Sequence, residues 1–256
     1  MALLEHWEGD SVPAWRDLWG LPALEVHDRL SSTNDRAREW AEAGAVPMTT
    51  VLAEEQTAGR GRGAAHWVSA ARAGLWMTVL LRGGTDTPSY LPLLVGLVVA
   101  RAVESATRLS VGLEWPNDVM VQDRKVAGIL CEAAAGTTLV GIGLNVREPS
   151  GGFPDGLKSR AAALSTFDPA AEGARAEIAG GILRGLVAVD AVRRARVPDD
   201  MLRELGRRDT LLGREVETSQ AGRGIARGIA ADGSLLLEEA NGNRISIVSG
   251  SVGVVR

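Results

Sequence analysis

The stretch from Val111 to Val146 constrains the fold of this chain more than any other part of it. Val111 to Glu114, Val119 to Val121, Lys125 to Glu132 and Thr138 to Val146 are apolar-rich runs with little between them. They read as consecutive strands with tight connections, and Gln122-Asp123-Arg124 suits a hairpin turn. Gly128, Gly141 and Gly143 interrupt these strands. Glycine inside a strand often marks close approach of a ligand or another backbone, with ordinary sheet packing as the alternative.

Upstream, Leu24 to His27 is a candidate strand, and Ser31-Ser32-Thr33-Asn34-Asp35 looks like a helix start. Ser32 is expected to cap it, with Asp35 in the capping-box position. Ala37, Trp40 and Ala41 follow at helical spacing up to Gly44. Thr50 to Ala53 is a short strand and Leu75 to Leu81 a longer one; Tyr90 to Thr107 has the composition of a helix packed on that sheet. Residues 1–22, with Trp7, Trp15 and Trp19, read as an irregular or short helical lead-in. Ala171 to Arg196 reads as a helix, and a second starts at Pro198 and stops near Gly206. From Leu212 the chain changes character. Asp232-Gly233 and Asn241-Gly242-Asn243 are strong hairpin signals, so the tail reads as a small module of about five strands.

A length of 256 residues allows one large domain, or one with a small appendage. The single cysteine, Cys131, sits in an apolar run and reads as a core residue; no disulfide framework is possible within the chain, which fits a reducing cytosol. No apolar run is long enough to span a bilayer, and Met1 to Asp10 lacks a basic leader. A net charge of −4 argues against general nucleic-acid binding.

The connection between the strands at Thr50 and Leu75 carries Gln56-Thr57-Ala58-Gly59-Arg60-Gly61-Arg62-Gly63, followed by Trp67. Missing Cβ atoms let backbone N–H groups approach an anion, and two guanidinium groups add planar donors for carboxylate or phosphate. Trp67 offers a flat face for a ring. The bland alternative is a solvated surface turn. In Trp115-Pro116-Asn117-Asp118, proline fixes a turn that aims Asn117 and Asp118; an Asx turn is the competing reading. Lys125 could project into a pocket as a point charge or simply flank a hairpin in solvent. Asn145 closes a glycine-interrupted strand.

Taken in order, Ser32-Thr33-Asn34, Gln56 with the Gly-Arg loop, Trp115-Pro116-Asn117-Asp118, Lys125 with Ala127-Gly128-Ile129-Leu130, and Gly141-Ile142-Gly143-Leu144-Asn145 resemble the biotin protein ligase family. The family is also called biotin–[acetyl-CoA-carboxylase] ligase or holocarboxylase synthetase. The resemblance implies an α+β fold: a mixed β-sheet catalytic domain of the biotin/lipoate ligase type with packed helices over residues 1–210, and a small C-terminal SH3-like β-barrel over 211–256. It implies activation of biotin with MgATP to biotinyl-5′-AMP, then transfer to one lysine of a biotin carboxyl carrier domain. By motif, Ser32, Thr33, Asn34, Gln56, Gly61, Gly128, Gly141 and Gly143 would line the biotin site. Arg60, Arg62 and Lys125 would hold the carboxylate–phosphate junction. Trp67, Asn117 and Asn145, together with Arg60, Arg62 and Lys125, would contact ATP. Lys125, Arg62 and Asp118 would be catalytic, with Asp118 facing the incoming lysine. The implied cofactors are ATP and Mg²⁺, with biotin as substrate and no protein-held metal. The implied setting is cytoplasmic, without nucleic acid or membrane partners. The segment before Ser32 is too short, and not basic enough, for the winged-helix domain of the family's repressor branch.

Three positions depart from the family pattern. Glu114 stands where a lysine is usual, Gly63-Ala64-Ala65-His66 where a further Gly-Arg pair is usual, and Ser249-Gly250-Ser251-Val252 where the last strand usually contains Gly-Glu. The first two remove positive charge near the expected nucleotide site, which bears on ATP use more than on biotin recognition. They motivate an alternative, a biotin-binding homologue with impaired adenylation. Another is a relative of the lipoate ligases or octanoyl transferases, against which the Gly-Arg loop and the β-rich tail both speak.

Overall fold

The computed structural model describes residues 2–63, 65–83, 87–191 and 196–255. The chain opens with a two-strand hairpin, β1 (His6–Trp7) and β2 (Asp10–Ser11), and a short helix α1 (Val12–Leu18). The lead-in is thus more ordered than its sequence suggests. Trp7, Trp15 and Trp19 gather into one cluster, with the last two rings stacked 5.1 Å apart. The Trp7 indole donates to Glu54 at 2.6 Å, and Arg175, only 2% exposed, pairs with Glu54 at 2.7 Å and with Glu8 at 2.8 Å. A buried guanidinium is tolerable only with such partners.

The central sheet comprises β3 (Leu24–Leu30), β4 (Thr50–Gln56), β5 (Gly74–Arg82), β6 (Gly112–Glu114), β7 (Asp118–Val121), β8 (Arg124–Ala134) and β9 (Thr137–Asn145), ordered β3-β4-β5-β9-β8-β7-β6. Only the β3–β4 pair is parallel, so the sheet is mixed. Val26, Leu52, Met77, Ile142 and Ile129 occupy one row across five strands, all facing the main core. Burying each such side chain stabilises the fold by roughly 1.5–3 kcal/mol.

Helices α3 (Leu91–Ala106) and α4 (Arg175–Ala191) cover that face. Helix α3 is apolar nearly all round because it lies between the sheet and α4. The two helices approach closely at Gly185, where a Cβ would stand 2.6 Å from Val98 Cγ1. The single helix expected from Ala171 to Arg196 divides into a 3₁₀ turn, Pro169–Gly173, and α4; residues 192–195 of that expectation lie outside the described residues. Cys131 is half-buried against the core.

The opposite face of the sheet is covered differently. Helix α2 (Thr33–Glu42) packs Ala37 and Ala41 on Val51, Ala53, Leu80 and Leu139, a much smaller cluster. The rest of that face is left to Gly128, Gly141, Gly143 and the residues above them.

After α5 (Asp199–Arg208), strands β10 (Glu215–Thr218), β11 (Gly222–Ile229), β12 (Leu235–Glu238), β13 (Arg244–Ile247) and β14 (Val252–Val254) form a five-stranded antiparallel sheet of SH3-like type, ordered β13-β12-β11-β10-β14. It meets the central unit where Trp115 Nε1 donates to Gly233 O at 2.9 Å. Gly233 has φ +83°, and a Cβ there would lie 2.5 Å from Tyr90 Cβ.

Candidate active site

Strand register assembles the site. Ala53, Trp76, Gly143, Gly128, Asp118 and Glu114 are successive cross-strand partners from β4 to β6, so they share one row on the sparsely covered face. Helix α2 begins at that face. Ser32 has extended N-cap dihedrals (φ −156°, ψ 135°) but makes no side-chain capping bond. The expected capping box is therefore absent: Asp35 pairs with Arg60 at 3.1 Å, and the Ser32 hydroxyl stays at the wall of a small cavity.

Beside Ser32 lies a cradle of uncharged polar groups. Gln56, at the end of β4 rather than in the loop, accepts from Thr33 N at 2.8 Å and donates to Ser69 Oγ at 2.7 Å. Thr78 Oγ1 lies 2.6 Å from Asn34 Oδ1 and 2.8 Å from Thr33 Oγ1. With one hydroxyl proton, Thr78 donates to the Asn34 carbonyl oxygen and accepts from Thr33. The Asn34 amide lies over Gly141, where a Cβ would come within 2.3 Å of Oδ1. Gly141 thus serves close approach.

The Gly-Arg segment folds back as a short ribbon. Trp67 N donates to Gly59 O at 2.9 Å and Gly61 N to Ala65 O at 2.8 Å, with Arg60 opposite His66. Among the described residues, nothing accepts from the backbone N–H of Arg60 or Arg62. Ala64 lies outside those residues. The ribbon lays Trp67 across the sheet: Cβ atoms at Gly143 and Gly128 would meet its ring at 2.5 and 2.9 Å. The indole Nε1 is buried there without a hydrogen-bond partner.

Lys125 reaches the same place because of a β-bulge. Val119 pairs with Ala127 but Met120 pairs with Lys125, so Val126 is an extra residue in β8. The bulge turns Lys125 to the face of Gly128 rather than the core. Its Nζ is 5.3 Å from the Trp67 ring centroid and 2.7 Å from Asp118 Oδ1. The latter is an ion pair without hydrogen-bond alignment, since that oxygen has no hydrogen-bond partner. The solvated-hairpin reading of Lys125 does not describe this environment.

The remaining expected residues sit around this centre. Asn117 donates to Ile129 O at 2.9 Å, and its Oδ1 is 3.3 Å from Arg62 Nη1. Arg62 is exposed and also donates to Gly250 O at 3.0 Å, joining the ribbon to the C-terminal sheet. Arg60 points elsewhere, to Asp35 and to Glu132 at 2.7 Å. Asn145 is only 5% exposed and donates to Ala162 O at 3.1 Å; it does not line the cavity at Trp67. Sequence reasoning missed Thr78, Ser69 and Glu132. A lone polar residue inside Leu75 to Leu81 was the available signal for Thr78, and the two-residue period through Gly128 and Leu130 for Glu132.

Two cavities meet here. The cavity among Ser32, Asn34, Gln56 and Trp67 is only ≈ 50 Å³. On the other side, a cleft of ≈ 810 Å³ runs between Glu114, Met120, Arg160, Arg214 and Ser251. Lys125 is the residue the two share. Burial, and then repulsion from Asp118, raises the Glu114 carboxyl above its ordinary value.

Comparison with known proteins identifies the family. Residues 26–147 match the model of the biotin/lipoate A/B protein ligase family, and residues 211–254 that of the biotin protein ligase C-terminal domain. The biotin–[acetyl-CoA-carboxylase] ligase of Mycobacterium tuberculosis is 34% identical over 242 residues, covering 90% of this chain and 88% of that protein. The bifunctional ligase/repressor BirA of Bacillus subtilis is 39% identical over 151 residues, 56% of this chain and 46% of that protein, so the match spans about half of that relative's length. The structure of the Aquifex aeolicus biotin protein ligase in complex with biotin and ATP superposes with a TM-score of 0.76 at 28% identity, covering 92% of this chain and all of that one. On both its sequence and its fold, this chain belongs to the biotin protein ligases of the biotin/lipoate A/B protein ligase family.

Proposed function

We propose that the protein is an ATP-dependent biotin protein ligase, which activates biotin to biotinyl-5′-AMP and passes it to a lysine of a biotin carboxyl carrier domain. The observation that carries this reading is that Lys125 belongs to both the small polar cavity and the wide cleft. A ring bound in the first and a nucleotide entering through the second would bring their reacting ends together at one cation.

In this reading Ser32, Thr33, Asn34 and Gln56 hydrogen-bond the ureido ring, and Gly128, Gly141 and Gly143 leave room for it. A cavity of ≈ 50 Å³ holds little more than a water, so the ribbon carrying Trp67 moves to admit the ring. A carboxylate oxygen of biotin bonds to the α-phosphorus of ATP while the bond to pyrophosphate breaks. That step brings two anions together, and Lys125, Arg62 and the free backbone N–H groups of Arg60 and Arg62 offset the repulsion, with Gly61 between them letting the backbone approach closely. Arg60 supports the ribbon, and Asn117 and Trp67 border the nucleotide. In the second step the carrier amine bonds to the acyl carbon, AMP leaves, and Asp118 takes the amine proton. Mg²⁺ enters as a companion of the nucleotide phosphates, as suits a cation that keeps several of its waters.

Calorimetry tests the reading. Biotin is expected to bind with micromolar or better affinity and to tighten the binding of MgATP, because the first ligand has already ordered the ribbon. Independent binding of the two would count against it. The second reading, a biotin binder that adenylates poorly, draws on Glu114 in the cleft; biotin binding without pyrophosphate release would establish it instead.

A further inference from the structure

Glu132 stands apart from every residue to which the reading above gives a role, yet it touches two of them. From β8 its Oε2 accepts from Asn34 Nδ2 at 2.7 Å and from Arg60 Nη2 at 2.7 Å. Arg38 adds a looser ion pair at 3.5 Å. The side chain is 25% exposed, sheltered enough for such bonds to survive competition from water.

The two bonds act on different parts of the site. A carboxylate only accepts, so it compels Asn34 to present its NH₂ group. The Asn34 carbonyl oxygen is thereby turned toward Gly141 and Thr78, where it can accept from an N–H of a bound ring. Meanwhile Arg60 is committed to Glu132 and Asp35, which ties the ribbon to the sheet and to the first turn of α2. One oxygen therefore fixes both the group facing the ring and the segment that must close over it.

We propose that Glu132 is a positioning residue that couples ring recognition by Asn34 to closure of the Gly59–Trp67 ribbon through Arg60. The proposal deepens the ligase reading and rests on it for the identity of the ring. Glu132→Gln is the informative substitution: it keeps the size of the side chain, and its amide oxygen can still accept from Asn34, but it loses the charge that holds Arg60.

Two measurements on the full chain test it. In the ligand-free protein, tryptic cleavage after Arg60 and Arg62 is expected to speed up by about tenfold or more in Glu132→Gln, since a charge-assisted bond has been lost. Arg60→Gln should speed cleavage after Arg62 similarly. With both substrates present, KM for biotin should rise by about tenfold while kcat changes less than threefold, the pattern of lost ground-state binding. A purely structural role would lower thermal stability without this split. Unchanged cleavage in both variants overturns the latch, and an unchanged KM overturns the coupling to ring binding. The cleavage measurement needs no ligand: faster cleavage in the variants, together with a parent protein that does not bind biotin, would fail the ligase reading while retaining the latch.

Discussion

Lys125 Nζ lies 2.7 Å from Asp118 Oδ1, so the site's central cation and the carboxylate proposed to take the amine proton neutralise each other before any substrate is bound. In the proposed reaction, an anionic junction that drew Lys125 away would release Asp118 to act as a base. The first step of the reaction would thus prepare the second.

Lys125→Ala is expected to slow pyrophosphate release by about 10²-fold or more while leaving biotin affinity within a few-fold, because the charge it offsets is concentrated in the transition state. Thermal stability should barely change, the side chain being a partly exposed neighbour of Asp118. Pyrophosphate release assayed beside biotin calorimetry checks this, and equal losses in both would make Lys125 a simple binding residue.

Arg62→Gly should leave the fold intact and shorten retention of the adenylate. Arg62 is exposed and bonded only to Gly250 O and Asn117 among the described residues, so its loss removes no core packing. A charge-assisted bond to a bound anion is worth roughly 1.5–3 kcal/mol. Release of the adenylate and labelling of bystander lysines should both increase; unchanged retention would place Arg62 outside the clamp.

Gly141→Ala brings a Cβ to within 2.3 Å of Asn34 Oδ1, an atom already held by Thr78. Overpacking of this kind costs about 1–3 kcal/mol. Chemical denaturation should show that loss, and calorimetry a larger fractional loss of biotin affinity than of ATP affinity. Parent-like binding in this variant would remove Gly141 from the ring site.

Glu114→Gln should stabilise the protein near neutral pH. Burial raises the folded-state pKa of this carboxyl above 4.5, so the folded chain holds a proton that the unfolded chain has lost. Stability therefore falls as pH rises from about 4.5 through the raised value, and the neutral amide escapes that loss. Melting temperatures of parent and variant should converge in acid and separate toward pH 7, and a constant difference would exclude the titration as the cause.

Much of this architecture was legible in the sequence. The strands from Val111 to Val146 and the hairpins of the tail follow period-two patterning and turn chemistry, which are local. The glycines at 128, 141 and 143 likewise signal close approach before any partner is known. What approaches them was not legible: Trp67 and Asn34 reach these glycines only through strand register and the fold of the ribbon. The bulge at Val126 that redirects Lys125 leaves no compositional mark. Local spacing makes Asp35 half of a capping box, whereas a tertiary partner, Arg60, claims it. Trp7, Glu54 and Arg175 meet across 168 positions, from 7 to 175, beyond the reach of any periodicity.

The most direct test is to incubate the full-length protein with biotin, MgATP and a biotin carboxyl carrier domain, and to follow pyrophosphate release and the intact mass of the carrier together. The account predicts pyrophosphate release that requires biotin, followed by a single biotinyl addition to one carrier lysine, with both signals lost in Lys125→Ala. Biotin binding with neither pyrophosphate release nor a mass shift in the parent protein would contradict it.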